Sequence, residues 1–489
     1  MRKEGGSCTV EISNKRWSDD ELLHRRKDVL SKWPTGQGVD LDEAIEYHKR
    51  LPREKLWSER VDRAKKEGET LVEVGLGHAT LEQTTEHIKA VQEAGADLLY
   101  LHTDTYTRKN QNEKAQKGIE DSIRLGRSVL NGFPVVCHGV EATRRMLEVA
   151  KVPVEAQGSS DEEPMLPYEI ELAAGHTAGF QHDLQELVLH SKNYPLAKRI
   201  QNSQYIAKLS AYYTERGAPI LSIVKPVMNG YCPPSLTMSL GLLNLLLTAE
   251  QGANIVSCAL GLLGNLKQDI ASLMAFRELS EEYLQRFGYT DMNLSYGSWP
   301  FMGDWPRDIS QACGFASMFA VAASLAQLDW IYQKSTEEAL GTTSYVGNVQ
   351  VIKLTKQITR SLRNEGTLVT AEIQEEKEAI KAEARCIVDK TIELGDGDPM
   401  KGELKAVELG ILDVPFSCWT LVKGKVLGAR DVTGAMRYLE TGNLPFTKEI
   451  IKRNQQKIAE RQASENPKTP IDMVVKDLKA YSQDVVGVK

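Results

Sequence analysis

Residues 69–103 read ETLVEVGLGHATLEQTTEHIKAVQEAGADLLYLHT. The runs 70–75 and 98–103 are short and apolar, the length of buried strands. Between them, 84–94 spaces its apolar residues at helical intervals and stops at Gly95, the residue type that closes a helix. Strand, helix and second strand in one short stretch is the βαβ unit of a parallel sheet.

The alternation continues outward. Further strand-like runs fall at 134–138, 152–156, 169–174, 220–224, 254–259, 292–296 and 330–333, with amphipathic stretches between them. That makes nine candidate strands, one more than a closed (β/α)8 barrel holds. An open doubly wound sheet is the alternative, but neither G-x-G-x-x-G nor G-x-x-x-x-G-K-[ST] follows the first strand. The expected class is α/β: a (β/α)8 TIM-type barrel over 61–345. A helical arm, 1–60, precedes it. A C-terminal α+β extension, 346–489, follows it where the strand signal fades. In the arm, Trp33-Pro34-Thr35-Gly36 breaks the helical pattern, and Asp40 or Asp42 is placed to cap the next helix. In the extension, 372–392 reads as a charged helix.

Composition sets bounds on function. The 489 residues suffice for a barrel and an appended unit. With a net charge of −7 the chain has no general electrostatic reason to hold nucleic acid or an anionic membrane. The longest apolar stretches fall short of a membrane span, and the N-terminus MRKEGGSCTVEISNKRW lacks an apolar signal core. The seven cysteines are scattered, odd in number and without C-x-x-C. A reducing, cytoplasmic setting is expected.

In such a barrel, chemistry sits at the C-terminal strand ends. Those positions include 75–78, 102–108, His138, Gln157, 176–181, Lys225, Ser298-Trp299 and 334–338. His102, His138 and His176 fall near successive strand ends, but there is no H-x-H pair, and no metal site is expected. No G-x-S-x-G elbow is present, and no cysteine has a neighbouring base.

Several runs carry a resemblance. They include Trp33-Pro34-Thr35-Gly36, Asp104-Thr105-Tyr106-Thr107-Arg108-Lys109-Asn110 and Val129-Leu130-Asn131-Gly132-Phe133-Pro134. Later come Ala249-Glu250-Gln251-Gly252, Cys386-Ile387-Val388-Asp389-Lys390 and Arg437-Tyr438-Leu439-Glu440. In order, these resemble the glutamate mutase (methylaspartate mutase) epsilon subunit family over about residues 15–480. The second run departs from the family's D-A-Y-T-R-Q-N at Thr105 and Lys109.

The resemblance implies an adenosylcobalamin-dependent carbon-skeleton mutase. Its barrel chain, implied to form a dimer, holds substrate and closes over the coenzyme. A separate small subunit carries the cobalamin through a D-x-H-x-x-G motif, which this chain lacks. The resemblance also implies roles. Arg108 grips a substrate carboxylate, as a guanidinium fork suits. Gly77, Asn131, Lys334, Glu338 and, with a changed side chain, Thr342 contact the coenzyme. Each has a plainer reading: Asn131-Gly132 is a turn signal, and Ser335-Thr336-Glu337-Glu338 spells a capping box.

The departures bear on substrate. The family holds its dicarboxylic amino acid with three arginines, and two of them fall at Gly75 and Gln157. Its acidic residue near the substrate ammonium falls at Gln181, and two tyrosines fall at Glu186 and His190. Arg108, Gln157, Gln181, Glu186 and His190 are therefore the candidate substrate-binding set, with Arg108, Gln181 and His190 as candidate catalytic groups. Losing two charge-assisted contacts costs about 1.5–3 kcal/mol each. The expectation is a related mutase acting on a small carboxylic or amino acid other than glutamate, in a specialised biosynthesis. Glutamate mutase proper, with arginines supplied from elsewhere in the chain, is one alternative. A non-catalytic paralogue that binds the cobalamin subunit is the other.

Overall fold

Eight parallel strands close into a ring in the computed structural model, which describes residues 12–157, 162–181, 184–228, 230–341 and 344–482. The strands are β1 (Leu71–Leu76), β2 (Leu98–Leu101), β3 (Val154–Ala156), β4 (Ala178–Gln181), β5 (Leu221–Val224), β6 (Ile255–Gly261), β7 (Asn293–Trp299) and β8 (Trp330–Gln333). Each pairs with its sequence neighbour, and β1 closes the ring on β8, Leu71 opposite Trp330. The chain is a (β/α)8 barrel.

Two strand expectations are corrected. Residues 134–138 open the helix Val135–Glu148, entered from Pro134 and kinked at Gly139, where φ is +71°. Residues 169–174 end the wholly buried helix Met165–Ala174. Glu169 sits in that helix because Arg26, from the N-terminal arm, grips both its oxygens at 2.7 and 2.9 Å. The fourth strand is instead Ala178–Gln181, so His176 lies before a strand, away from the mouth. It is buried, and its Nδ1 bonds the Glu171 carbonyl.

Parallel neighbours share a face, so register defines the lumen. Gly75 pairs with Tyr100, Tyr100 with Glu155, and Glu73 with Tyr332. Leu71, Leu98, Ala178, Leu221, Ile223, Ala259 and Trp330 pack together as the barrel's inner core. Trp57, at the start of the helix Trp57–Glu67, packs edge-on against Trp330 at 6.1 Å, and its backbone N–H donates to Thr177 Oγ1. Asp40 is the residue that caps its helix, accepting from the Glu43 N–H at 3.0 Å.

The last third adds the helices Tyr345–Ser361, Ala371–Leu394, Pro399–Leu409, Lys448–Glu465 and Pro470–Leu478, and an antiparallel pair, β9 (Val426–Arg430) and β10 (Met436–Thr441). Arg430 donates to the Leu263 carbonyl after β6, and Tyr481 stacks on Phe315 at 4.5 Å. The extension thus leans on loops at the C-terminal rim. No helix of the described residues is long and apolar enough to cross a membrane.

Candidate active site

The C-terminal strand ends surround a cavity of about 570 Å³. That is the usual size and place for small-molecule chemistry in this architecture. Gly77, Arg108, Asn131, Gln157, His190, Lys334 and Glu338 all line it. Gln181 does not: it is buried behind the wall, its amide donating to Ser222 Oγ at 3.2 Å. Thr342 and the side chain of Glu186 lie outside the described residues.

Local sequence explains how Arg108 is presented. Asp104 caps the turn Thr105–Arg108, accepting from the Tyr106 and Thr107 N–H groups at 2.9 and 3.2 Å. Asn110 leaves the turn with φ at +54°, a conformation asparagine tolerates. Asn131 locks the neighbouring loop, its Oδ1 accepting from the Thr105 N–H at 3.0 Å. A Cβ on Gly77 would lie 2.5 Å from the His102 carbonyl oxygen, and one on Gly132 would meet the same atom at 2.5 Å. Both glycines are therefore demanded by backbone packing, whatever else approaches them.

On the opposite rim, Lys334 Nζ lies 2.7 Å from Glu338 Oε1. Glu338 is thus not the partner in a helix cap; the Glu337 N–H bonds Ser335 Oγ instead. Burial, then Arg108, Lys334 and Lys225, push the His102 imidazole down to about 3, so it is neutral near pH 7.

The two positions where the resemblance lacks arginines are occupied differently. A side chain on Gly75 would collide with the Tyr332 hydroxyl. Gln157 is turned to the backbone, its Oε1 accepting from the Thr103 N–H at 2.5 Å. Among the described residues, Arg108 is the one arginine on the cavity wall.

Sequence reading placed Lys225 at a strand end without a role and missed the groups around it. Lys225 lines the cavity yet is 2% exposed. Its ammonium is 2.8 Å from Glu155 Oε1 and lies over the rings of Trp299, Tyr100 and Phe180, at 4.1, 4.6 and 4.9 Å from their centroids. Glu73 is buried nearby, and burial together with Glu155 raises its carboxyl well above the ordinary range. Charged residues inside strands were the available signal, but Glu73, Glu155 and Lys225 meet only once the ring is closed. Among the described residues no group of three or more His, Cys, Asp or Glu is arranged to hold a metal.

An eight-stranded parallel barrel with a cavity of this size among its βα loops, walled by cations and aromatic rings, defines a barrel enzyme. Residues 51–489 match the family model for the methylaspartate mutase E chain (MutE). The glutamate mutase epsilon subunit of Desulfitobacterium hafniense (strain Y51) is 36% identical, covering 98% of this chain and 99% of its own. Those of Treponema denticola and Escherichia coli O157:H7 are 36% and 35% identical, each covering 97% of this chain and 98% of their own. The chain belongs to the methylaspartate mutase E chain family, and it is a mutase component, an isomerase.

Proposed function

We propose that this chain is the large component of an adenosylcobalamin-dependent mutase that rearranges a small carboxylic or amino acid other than glutamate. The observation that carries the reading is the cavity wall. Tyr332 fills the space beside Gly75, Gln157 stands where a second arginine would and accepts from the Thr103 N–H through its Oε1, and Arg108 is the one guanidinium on the wall among the described residues.

The residues at the rim suit the coenzyme. The Lys334–Glu338 pair is 11% and 34% exposed at the side-chain level and offers a donor beside an acceptor, the complement of a sugar diol. Asn131 and the bare backbone at Gly77 line the same cavity and would contact the coenzyme. Adenosylcobalamin supplies, when bound, the carbon-centred radical that opens the rearrangement. The chain's own work is to orient the acid through Arg108 and to exclude water and stray hydrogen donors.

A small subunit bearing D-x-H-x-x-G is the proposed partner, with two barrel chains and two small subunits in the assembly. The exposed Tyr106, Leu340, Tyr345 and Val346, all in segments that follow β2 or β8, give such a partner an apolar rim to cover.

The relatives' names favour glutamate as substrate, and the two readings separate in a competition assay. Purified chain plus cobalamin subunit is offered glutamate against other small acids. Slow or absent glutamate turnover is expected; turnover of glutamate in preference to every other acid overturns the altered substrate.

A further inference from the structure

Buried lysines are costly, and a buried ion pair is often replaceable by apolar residues without loss of stability. A pair of that kind on the wall of a ligand cavity therefore calls for a functional reading. Lys225 meets the condition: 2% exposed, on the cavity wall, 2.8 Å from Glu155 and boxed by Trp299, Tyr100 and Phe180. The box is rigid. Tyr332 stacks on Trp299 at 3.6 Å, and Tyr100 meets both edge-on at 5.7 and 5.5 Å.

Charge decides what such an ammonium takes. Glu155 is fully buried and already balances it, and a carboxylate seated on Lys225 would bring a second negative charge beside Glu155 in a dry site. Glu73 is buried beside the pair, and burial together with Glu155 raises its carboxyl well above the ordinary range. Two of the positions on the cavity wall are neutral as well, Gly75 and Gln157. We propose that Lys225, held by Glu155 within its aromatic box, selects the far end of the substrate and takes an uncharged oxygen acceptor there, a carbonyl, amide or hydroxyl, in place of a second carboxylate. This rests on the mutase reading above, with Arg108 holding the one carboxylate.

Calorimetric binding to the full chain, without coenzyme, tests it. The probes are succinate, glutarate and adipate and their monoamides, pairs that differ only in charge at one end. At least one monoamide should bind about tenfold or more tightly than its diacid, and the preference should vanish in Lys225→Met. Because Lys225→Met strands Glu155, the double variant Lys225→Met/Glu155→Gln is measured beside it. That variant should melt at the wild-type temperature and still lack the preference. If no monoamide outbinds its diacid, or if the preference survives in both variants, the inference fails. Failure of the mutase reading is seen separately, as absence of any acid-dependent cobalamin signal in the assembled enzyme.

Discussion

Tyr332 lies flat on Trp299, ring centroids 3.6 Å apart and planes 2° from parallel, with its hydroxyl aimed at the bare Cα of Gly75. The stack fixes the tyrosine, and the tyrosine fixes glycine at position 75. A long cation cannot be added there without dismantling the stack.

Gly75→Arg alone should therefore destabilise the fold by overpacking, by about 1–3 kcal/mol. Pairing it with Tyr332→Ala should recover part of that loss and raise affinity for dicarboxylates. Thermal melts and binding titrations of the single and double variants check both outcomes.

Arg108→Lys keeps the charge and loses the planar fork. With one bidentate carboxylate contact broken, kcat/KM should fall by about 1.5–3 kcal/mol, roughly tenfold to a hundredfold or more. The melting temperature should hold, because Arg108 is partly exposed and its hydrogen bond to Thr105 Oγ1, at 3.1 Å, lies within the same turn. Steady-state kinetics on the true substrate, with a melt as control, is the check.

Lys334→Met and Glu338→Gln act on the coenzyme side. Each should raise the apparent Kd for adenosylcobalamin by about tenfold in the presence of the cobalamin subunit, with little effect on acid binding. An optical titration with coenzyme reads the first effect, and calorimetry with the acid reads the second.

Acid should weaken the fold through buried histidines. Burial and the neighbouring His78, 2.9 Å away, hold the His87 imidazole down to about 3, while the unfolded chain takes a proton near 6.5. The unfolded state thus gains protons that the folded state refuses. His87's contribution is intact above pH 6.5 and is lost as pH falls from 6.5 toward 3. Burial likewise holds His48 and His176 down to about 4. Between pH 7.5 and 5.5 each such group removes about 1.3 kcal/mol. Urea unfolding at the two pH values should show a smaller difference for His87→Gln than for wild type.

Much of the barrel was legible because its strands are short apolar runs closed by turn residues, as in Leu98–Leu101 after Gly95. The two misread segments had strand texture for other reasons. Glu169-Ile170-Glu171-Leu172 alternates like a strand, but Arg26 and Tyr205, both distant in sequence, satisfy Glu169 inside a helix. Pro134-Val135-Val136 is β-branched, yet the proline opens a helix. The missed strand, Ala178-Gly179-Phe180-Gln181, has no β-branched residue to mark it. In the site, Arg108, Lys334 and Glu338 could be placed from local motifs. Lys225 could not be given a role that way, because its meaning depends on Glu155 and Trp299, which only ring closure brings to it.

The central claim is that this barrel turns over a small acid by radical rearrangement with a cobalamin subunit seated on its mouth. Anaerobic electron spin resonance of the chain with that subunit, adenosylcobalamin and a panel of candidate acids tests it most directly. The account predicts a cob(II)alamin–radical signal that depends on the acid, arises with a monocarboxylate bearing a neutral oxygen group, and is lost in Arg108→Lys. No acid-dependent signal from any member of the panel would contradict it.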